Sequence, residues 1–111
     1  MAIDGPFSNH QGNSIMAAYF IGFAKVQDAG KAQEYSAKAG PTIGPAGGSV
    51  VGRGKLAEVL AGAVDAHSCL IVKFASVDAA KAWYNSPAYQ ALIPLRDEAI
   101  HSTFVLIEEP N

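Results

Sequence analysis

The sequence predicts an α+β domain ordered strand, helix, strand, strand, helix, strand, folded around a four-stranded antiparallel sheet. Four runs rich in aromatic and β-branched residues, the first "AAYFIGFAKV" and the last "STFVLIEE", mark the strands. Two alanine-rich amphipathic segments follow the first and third of these runs, each opening on a residue that caps helices. The second and third runs have no helical segment between them, so each half of the chain is βαβ-like, the split βαβ of ferredoxin-like folds.

The first strand, Ala17 to Val26, is apolar on both alternating sets, Tyr19-Ile21-Phe23 and Ala18-Phe20-Ala24-Val26, which predicts burial on both faces. Asp28 caps the helix "AGKAQEYSAKAG", where Glu34 and Lys38 form an i,i+4 pair and Ala32, Tyr35 and Ala39 mark an inner stripe. Gly40-Pro41 is expected to end or kink it. "GPAGGSVVGRGKLAEVLAG" reads as a glycine-punctuated, bulged strand, with Ser49, Val51, Arg53 and Lys55 on one face and Val50, Gly52, Gly54 and Leu56 on the other. Which side of the sheet Arg53 takes is left open by the pattern.

The third strand, "HSCLIVKFA", carries Leu70, Val72 and Phe74 on one face and Cys69 and Ile71 on the other. Ser76 caps the next helix, with Asp78 in its first turn, where the helix dipole favours an acid. That helix is expected to break at Asn85, because "NSP" supplies Ser86 as a fresh cap and Pro87 as a favoured first residue, giving two short helices. The closing strand alternates Phe104-Leu106 with Val105-Ile107. Helices that cover one face of such a sheet leave an apolar face open, and the same face of a second subunit is its natural cover: an isologous homodimer enclosing a barrel-like core.

Composition narrows the function classes. A chain of 111 residues fits one domain, and 50% hydrophobic with 16% charged residues is globular composition. That domain is assigned to residues 16 to 111. Residues 1 to 15, "MAIDGPFSNHQGNSI", lack any period and are expected to be a flexible leader or an added extension. A net charge of −2 with dispersed basic residues argues against nucleic acid. The longest apolar run, "IMAAYFIGFA", is about half of a bilayer span, so no membrane partner is expected and the location is expected to be cytoplasmic. Cys69 is alone, which excludes an intramolecular disulfide, and is expected to be a small buried hydrophobe.

The segments "MAAYFIGFAKVQD", "EYSAKAGPTIGPAGGSVVGRG", "AEVLAG" and "VKFASVDAAKAWYNSPAYQALIPLR" together carry a likeness. Its most specific residues are Trp83-Tyr84, Ser86-Pro87, Tyr89 and Arg96, with Gly47-Gly48 and Arg53-Gly54. Over nearly all of residues 16 to 109 the chain resembles the domain of unknown function family 1330, of the dimeric α+β barrel superfamily. Lys73 departs from the acidic residue common before the third-strand phenylalanine, which removes the basis for a carboxylate role there. The resemblance implies a homodimer. Similar members of the superfamily include cofactor-free monooxygenases, dehydratases, cyclases and isomerases, together with binding and stress-related proteins.

Several site types lack a signature. His10, His67 and His101 lie far apart with no helical pair spacing, and no CxxC exists, so no metal is expected. The glycines fit neither a P-loop nor a dinucleotide motif and no GxSxG is present, so no cofactor is expected. Val77, Ala80 and Tyr84 form one stripe, which makes packing against the sheet the default for Tyr84. Beyond the break, Ala88, Ala91, Leu92 and Leu95 make the expected inner stripe, and Tyr89, Ile93 and Arg96 share a neighbouring edge that can face a cavity. Trp83 is either a plug at the helix junction or a site wall.

Arg96 is divided between an ion pair with Asp97 or Glu98 and anion binding, and Arg53, flanked by glycines, is the better anion ligand. His67 suits proton transfer near neutral pH, against the plainer alternative of a solvated strand-end histidine; His101 and His10 rank no higher.

These residues suggest a small cofactor-independent enzyme of lyase, isomerase or oxygenase type, acting on a compact organic substrate with a carbonyl or carboxylate in a pocket between sheet and helices. Arg53 and Arg96 would hold its anionic end beside Trp83, Tyr84 and Tyr89 would donate to a developing oxyanion, and His67 would move a proton. The alternative is a non-catalytic small-ligand-binding or dimerisation module in which the tyrosines only pack. A polar-lined pocket of roughly 300 to 1,000 Å³ would favour the first.

Overall fold

A computed structural model describes residues 16–110; the expected leader lies outside the described residues. Four strands, β1 (Ala18–Val26), β2 (Ser49–Lys55), β3 (Ser68–Phe74) and β4 (Ile100–Glu108), form one antiparallel sheet in the order β2-β3-β1-β4. The helices are α1 (Ala29–Ile43), α2 (Val77–Tyr84), α3 (Pro87–Gln90) and α4 (Ile93–Ala99), with a 3₁₀ turn at Gly44–Ala46. No helix among the described residues is long and apolar enough to cross a membrane.

All four helices serve one sheet face. In register, Phe20 stands opposite Val72 and Leu106, and Gly22 opposite Leu70 and Phe104, so these residues share that face. Phe20, Val72 and Phe74 from the sheet, Ala39 and Ile43 from α1, Ala80 and Trp83 from α2 and Tyr89 from α3 make one buried cluster. Tyr19, Ile21, Phe23, Ile71, Val105 and Ile107 have the opposite parity and stand outside it. Cys69, expected to be buried, is half-buried on this open face, where it pairs with Phe23.

Local chemistry sets the helix ends. Asp28 Oδ1 accepts from Lys31 N at 3.0 Å and Ser76 Oγ from Ala79 N at 3.0 Å, the expected caps. Pro41 does not end α1, which runs on to Ile43. The chain then turns through Gly47, whose φ of 89° suits a residue without a Cβ. Gly48 N–H donates to Ile43 O at 3.0 Å and delivers β2 onto the core.

Two expectations fail after β2 and β3. The bulge in β2 falls between Val50 and Gly52, so Val50, opposite Val72, shares the helix-side face with Arg53, opposite Leu70. The alternation had assigned Val50 to the face away from Arg53; the extra residue, Val51, resets the parity. Beyond Asn85 the chain forms two further helices where one was expected. Pro94 has no N–H to donate and is tolerated in a first turn, so α4 restarts at Ile93. Helical phase does not carry across that restart. Ala88 and Ala91, expected inside, are exposed, and Tyr89, expected at the edge, is buried.

Candidate functional site

A cleft of about 370 Å³ lies between α1 and the sheet, with Tyr35, Ser36, Arg53, Phe20, Trp83 and Phe104 among its walls. Tyr35 reaches it from the inner stripe of α1, and Arg53 from the edge strand, turned to this side by the bulge. Among the described residues no carboxylate forms an ion pair with Arg53. A second cleft of about 410 Å³ is bordered by Tyr84, Lys81, Asn85 and Leu106. Although slightly larger, it has fewer polar walls, whereas the first also has Ser68 and Lys55 at its margin and resembles a ligand site more closely.

Behind the first cleft runs a hydrogen-bonded cluster. Arg96 Nη1 donates to Tyr84 Oη at 2.9 Å and to Tyr89 Oη at 3.3 Å, and Arg96 Nε donates to Asp97 Oδ1 at 3.1 Å. The guanidinium also lies 5.3 Å from the centroid of the Phe104 ring, within cation–π range. Tyr89 Oη meets Tyr35 Oη at 2.6 Å. The Trp83 ring packs at 4.8 Å from Tyr89 and 5.1 Å from Phe20, and its Nε1–H donates to Thr42 Oγ1 at 2.9 Å.

Burial works against the charge of Arg96, and hydrogen bonds to Tyr84, Tyr89 and Asp97 more than offset it, so its pKa rises above the ordinary arginine value. Burial, and then the hydrogen bond with Tyr89, push the Tyr35 phenol upward as well, so it stays protonated near neutral pH.

The structure gathers Trp83, Tyr84, Tyr89 and Arg96, brings Arg53 to the cleft that Trp83 also lines, and leaves His67 apart. Trp83 is both plug and wall, being buried and lining the first cleft. Arg96 pairs with Asp97, one of the two roles weighed for it, and lines neither cleft. His67 is exposed and lines neither cleft; its backbone joins Ala24 and Leu56. Asp65 pairs with Lys25 at 2.9 Å and lies 3.9 Å from His101. Among the described residues no three His, Cys, Asp or Glu side chains gather as a metal site.

Tyr35 is the cleft residue that sequence reasoning did not single out. It stood out only as part of the α1 stripe, and nothing in the sequence announced its hydroxyl meeting that of a residue 54 positions away.

This sheet order with helices on one face defines an α+β protein of the ferredoxin-like class. The chain belongs to the family described as domain of unknown function (DUF1330), whose model matches residues 17–110. Among curated proteins, none matches. A protein of unknown function from Rhodopseudomonas palustris aligns with a TM-score of 0.70 at 20% identity, over 86% of this chain and 84% of that one. SnoaB, a cofactor-independent oxygenase from Streptomyces nogalater, aligns with 0.64 at 15% identity, over 86% and 95%. A dimeric ferredoxin-like protein of unknown function from Thermobifida fusca aligns with 0.54 at 13% identity, over 85% and 92%. At these identities the likeness is one of fold.

Proposed function

We propose that the cleft between α1 and the sheet binds a compact organic molecule with a carboxylate end, and that the protein acts on it as a small cofactor-independent enzyme. The observation that carries this reading is Arg53: a guanidinium without a carboxylate partner among the described residues, on the wall of a largely apolar cleft. A planar fork of donors suits a carboxylate, and the aromatic walls suit the body of the molecule. The protonated Tyr35 supplies the hydrogen-bond donor that stabilisation of a developing oxyanion needs. SnoaB, a cofactor-independent oxygenase, shares the fold and adds its example without adding residues. The same reading includes a homodimer formed through the apolar sheet face, in keeping with the dimeric protein from Thermobifida fusca.

One observation favours the non-catalytic alternative. His67 lines neither cleft, so the cleft has no imidazole to move a proton, and a binding module would need none.

Benzoate and 2-naphthoate titrations test the reading, with the protein's single tryptophan, Trp83, as a fluorescent reporter in the cleft wall. The expected result is saturable binding that Arg53→Ala weakens by about 1.5 to 3 kcal/mol, the range for a lost charge-assisted bond, with the fold intact. Carboxylate affinity equal in wild type and Arg53→Ala removes the arginine from the site.

A further inference from the structure

The buried hydroxyl of Tyr89 sets the direction of a hydrogen-bond chain that ends in the cleft. Arginine carries only donors, so the contact from Arg96 Nη1 at 3.3 Å makes Tyr89 Oη an acceptor. Tyr89 is 0% exposed, and a hydroxyl proton sealed from water requires an acceptor inside the protein. Among the described residues the other partner of Tyr89 Oη is Tyr35 Oη, at 2.6 Å. The Tyr89 proton therefore goes to Tyr35. Had Tyr35 been the donor, Tyr89 would accept twice and its own proton would be orphaned. Tyr35, as acceptor from Tyr89, keeps its own proton for a partner elsewhere, and Tyr35 lines the cleft.

We infer that Tyr35 is the hydrogen-bond donor of the cleft, fed in the order Arg96 to Tyr89 to Tyr35, and that the ligand is a carboxylate carrying a second oxygen, a carbonyl, enol or phenol, which Tyr35 holds. This rests on the assignment of the cleft as a carboxylate site and adds its second pole. A cationic donor at the head of the chain polarises each hydroxyl in turn, so the terminal O–H is a stronger donor than an isolated phenol. Arg96 never touches the ligand in this arrangement and acts as a positioning residue through Tyr89. Tyr84 Oη also accepts from Arg96, at 2.9 Å, which anchors the guanidinium from a second side.

Matched probe pairs test this: benzoate against 4-hydroxybenzoate, and 2-naphthoate against 6-hydroxy-2-naphthoate, which place the second oxygen at two distances from the carboxylate. Wild type is expected to prefer the hydroxylated member of at least one pair by about fivefold to tenfold, the worth of one net hydrogen bond. Tyr35→Phe is expected to equalise that pair. The hydroxyl of the bound hydroxylated probe, followed by absorbance against pH, is expected to ionise at lower pH in wild type than in Tyr35→Phe or Arg96→Gln, because a polarised donor favours the phenolate. A merely structural arginine would leave that ionisation where it is.

Equal affinities within both pairs in wild type, with binding still weakened by Arg53→Ala, overturn the Tyr35 assignment and leave the carboxylate site standing. A preference that survives Tyr35→Phe also overturns it. A Tyr35-dependent preference in a protein indifferent to Arg53→Ala keeps the donor and removes the arginine. Binding of no probe overturns both. Should Tyr35→Phe fail to fold, the wild-type comparison and the Arg96→Gln ionisation decide.

Discussion

Trp83 Nε1 donates a 2.9 Å hydrogen bond to Thr42 Oγ1, which ties α2 to the last turn of α1 on one side of the cleft. The Thr42 hydroxyl spends its own proton on Ala39 O, at 2.7 Å. It thus accepts the one polar hydrogen of a buried tryptophan while satisfying a carbonyl near the helix end. Thr42→Val keeps the shape and leaves the indole N–H without this acceptor. The expected cost is about 1 to 3 kcal/mol in urea denaturation, the price of an unsatisfied buried donor. A variant as stable as wild type would show that another acceptor takes over.

Gly48 is expected to resist substitution. A Cβ there would stand 2.7 Å from Ile43 Cγ2 and 2.8 Å from Phe74 Cε1, both in the buried cluster. Gly48→Ala should destabilise by about 1 to 3 kcal/mol through overpacking. Gly54→Ala, with nothing within 4 Å of the new atom, should change the melting temperature little.

Alkaline pH should expose the Tyr35 phenol. Burial, and then its bond to Tyr89, hold the folded-state pKa above the ordinary 10.0. A group raised in this way contributes stability that is fully present below that ordinary value. It is lost as pH climbs from there through the folded value, because the unfolded chain releases the proton first. Unfolding free energy measured above pH 10.0 should therefore fall more steeply in wild type than in Tyr35→Phe, by up to about 1.4 kcal/mol per pH unit for one proton. Parallel slopes would place the Tyr35 hydroxyl in a water-like setting.

Light scattering at micromolar concentration should give twice the chain mass of 11.5 kDa. Ile21→Glu, at the centre of the open sheet face, should shift the protein towards monomer, whereas Ala37→Glu on the exposed side of α1 should not. A wild-type monomer would sink the dimer.

The strands were legible because both faces of β1 and β3 are apolar, and the helix starts because Asp28, Ser76 and Ser86 are caps with their amide partners in place. Tyr89 was misplaced for a definite reason. A periodic stripe has meaning only along one continuous helix, and α3 is a single turn. Local spacing had put Tyr89 and Arg96 on one edge, and they meet at 3.3 Å, whereas the Tyr35–Tyr89 contact depends on how α1 docks beside α3, which no local pattern encodes. His67 drew attention as a histidine at the start of the third strand, and it lies exposed, one residue before β3 begins.

The extra residue at Val51 has a consequence for how this domain tolerates change in length. Because side chains alternate along a strand, the number of paired residues between Val50 and Arg53, here Gly52 alone, decides whether the guanidinium faces the cleft or the open side of the sheet. Removing Val51 would straighten the edge strand into plain alternation and leave Val50 and Arg53 together on the helix side, because Val50, Gly52 and Arg53 already pair with the consecutive residues Val72, Ile71 and Leu70. A one-codon deletion at the bulge is therefore silent for the placement of the guanidinium, whereas losing Val51 and Gly52 together would make Arg53 the direct neighbour of Val50 and plant the cation on the open, apolar face of the sheet.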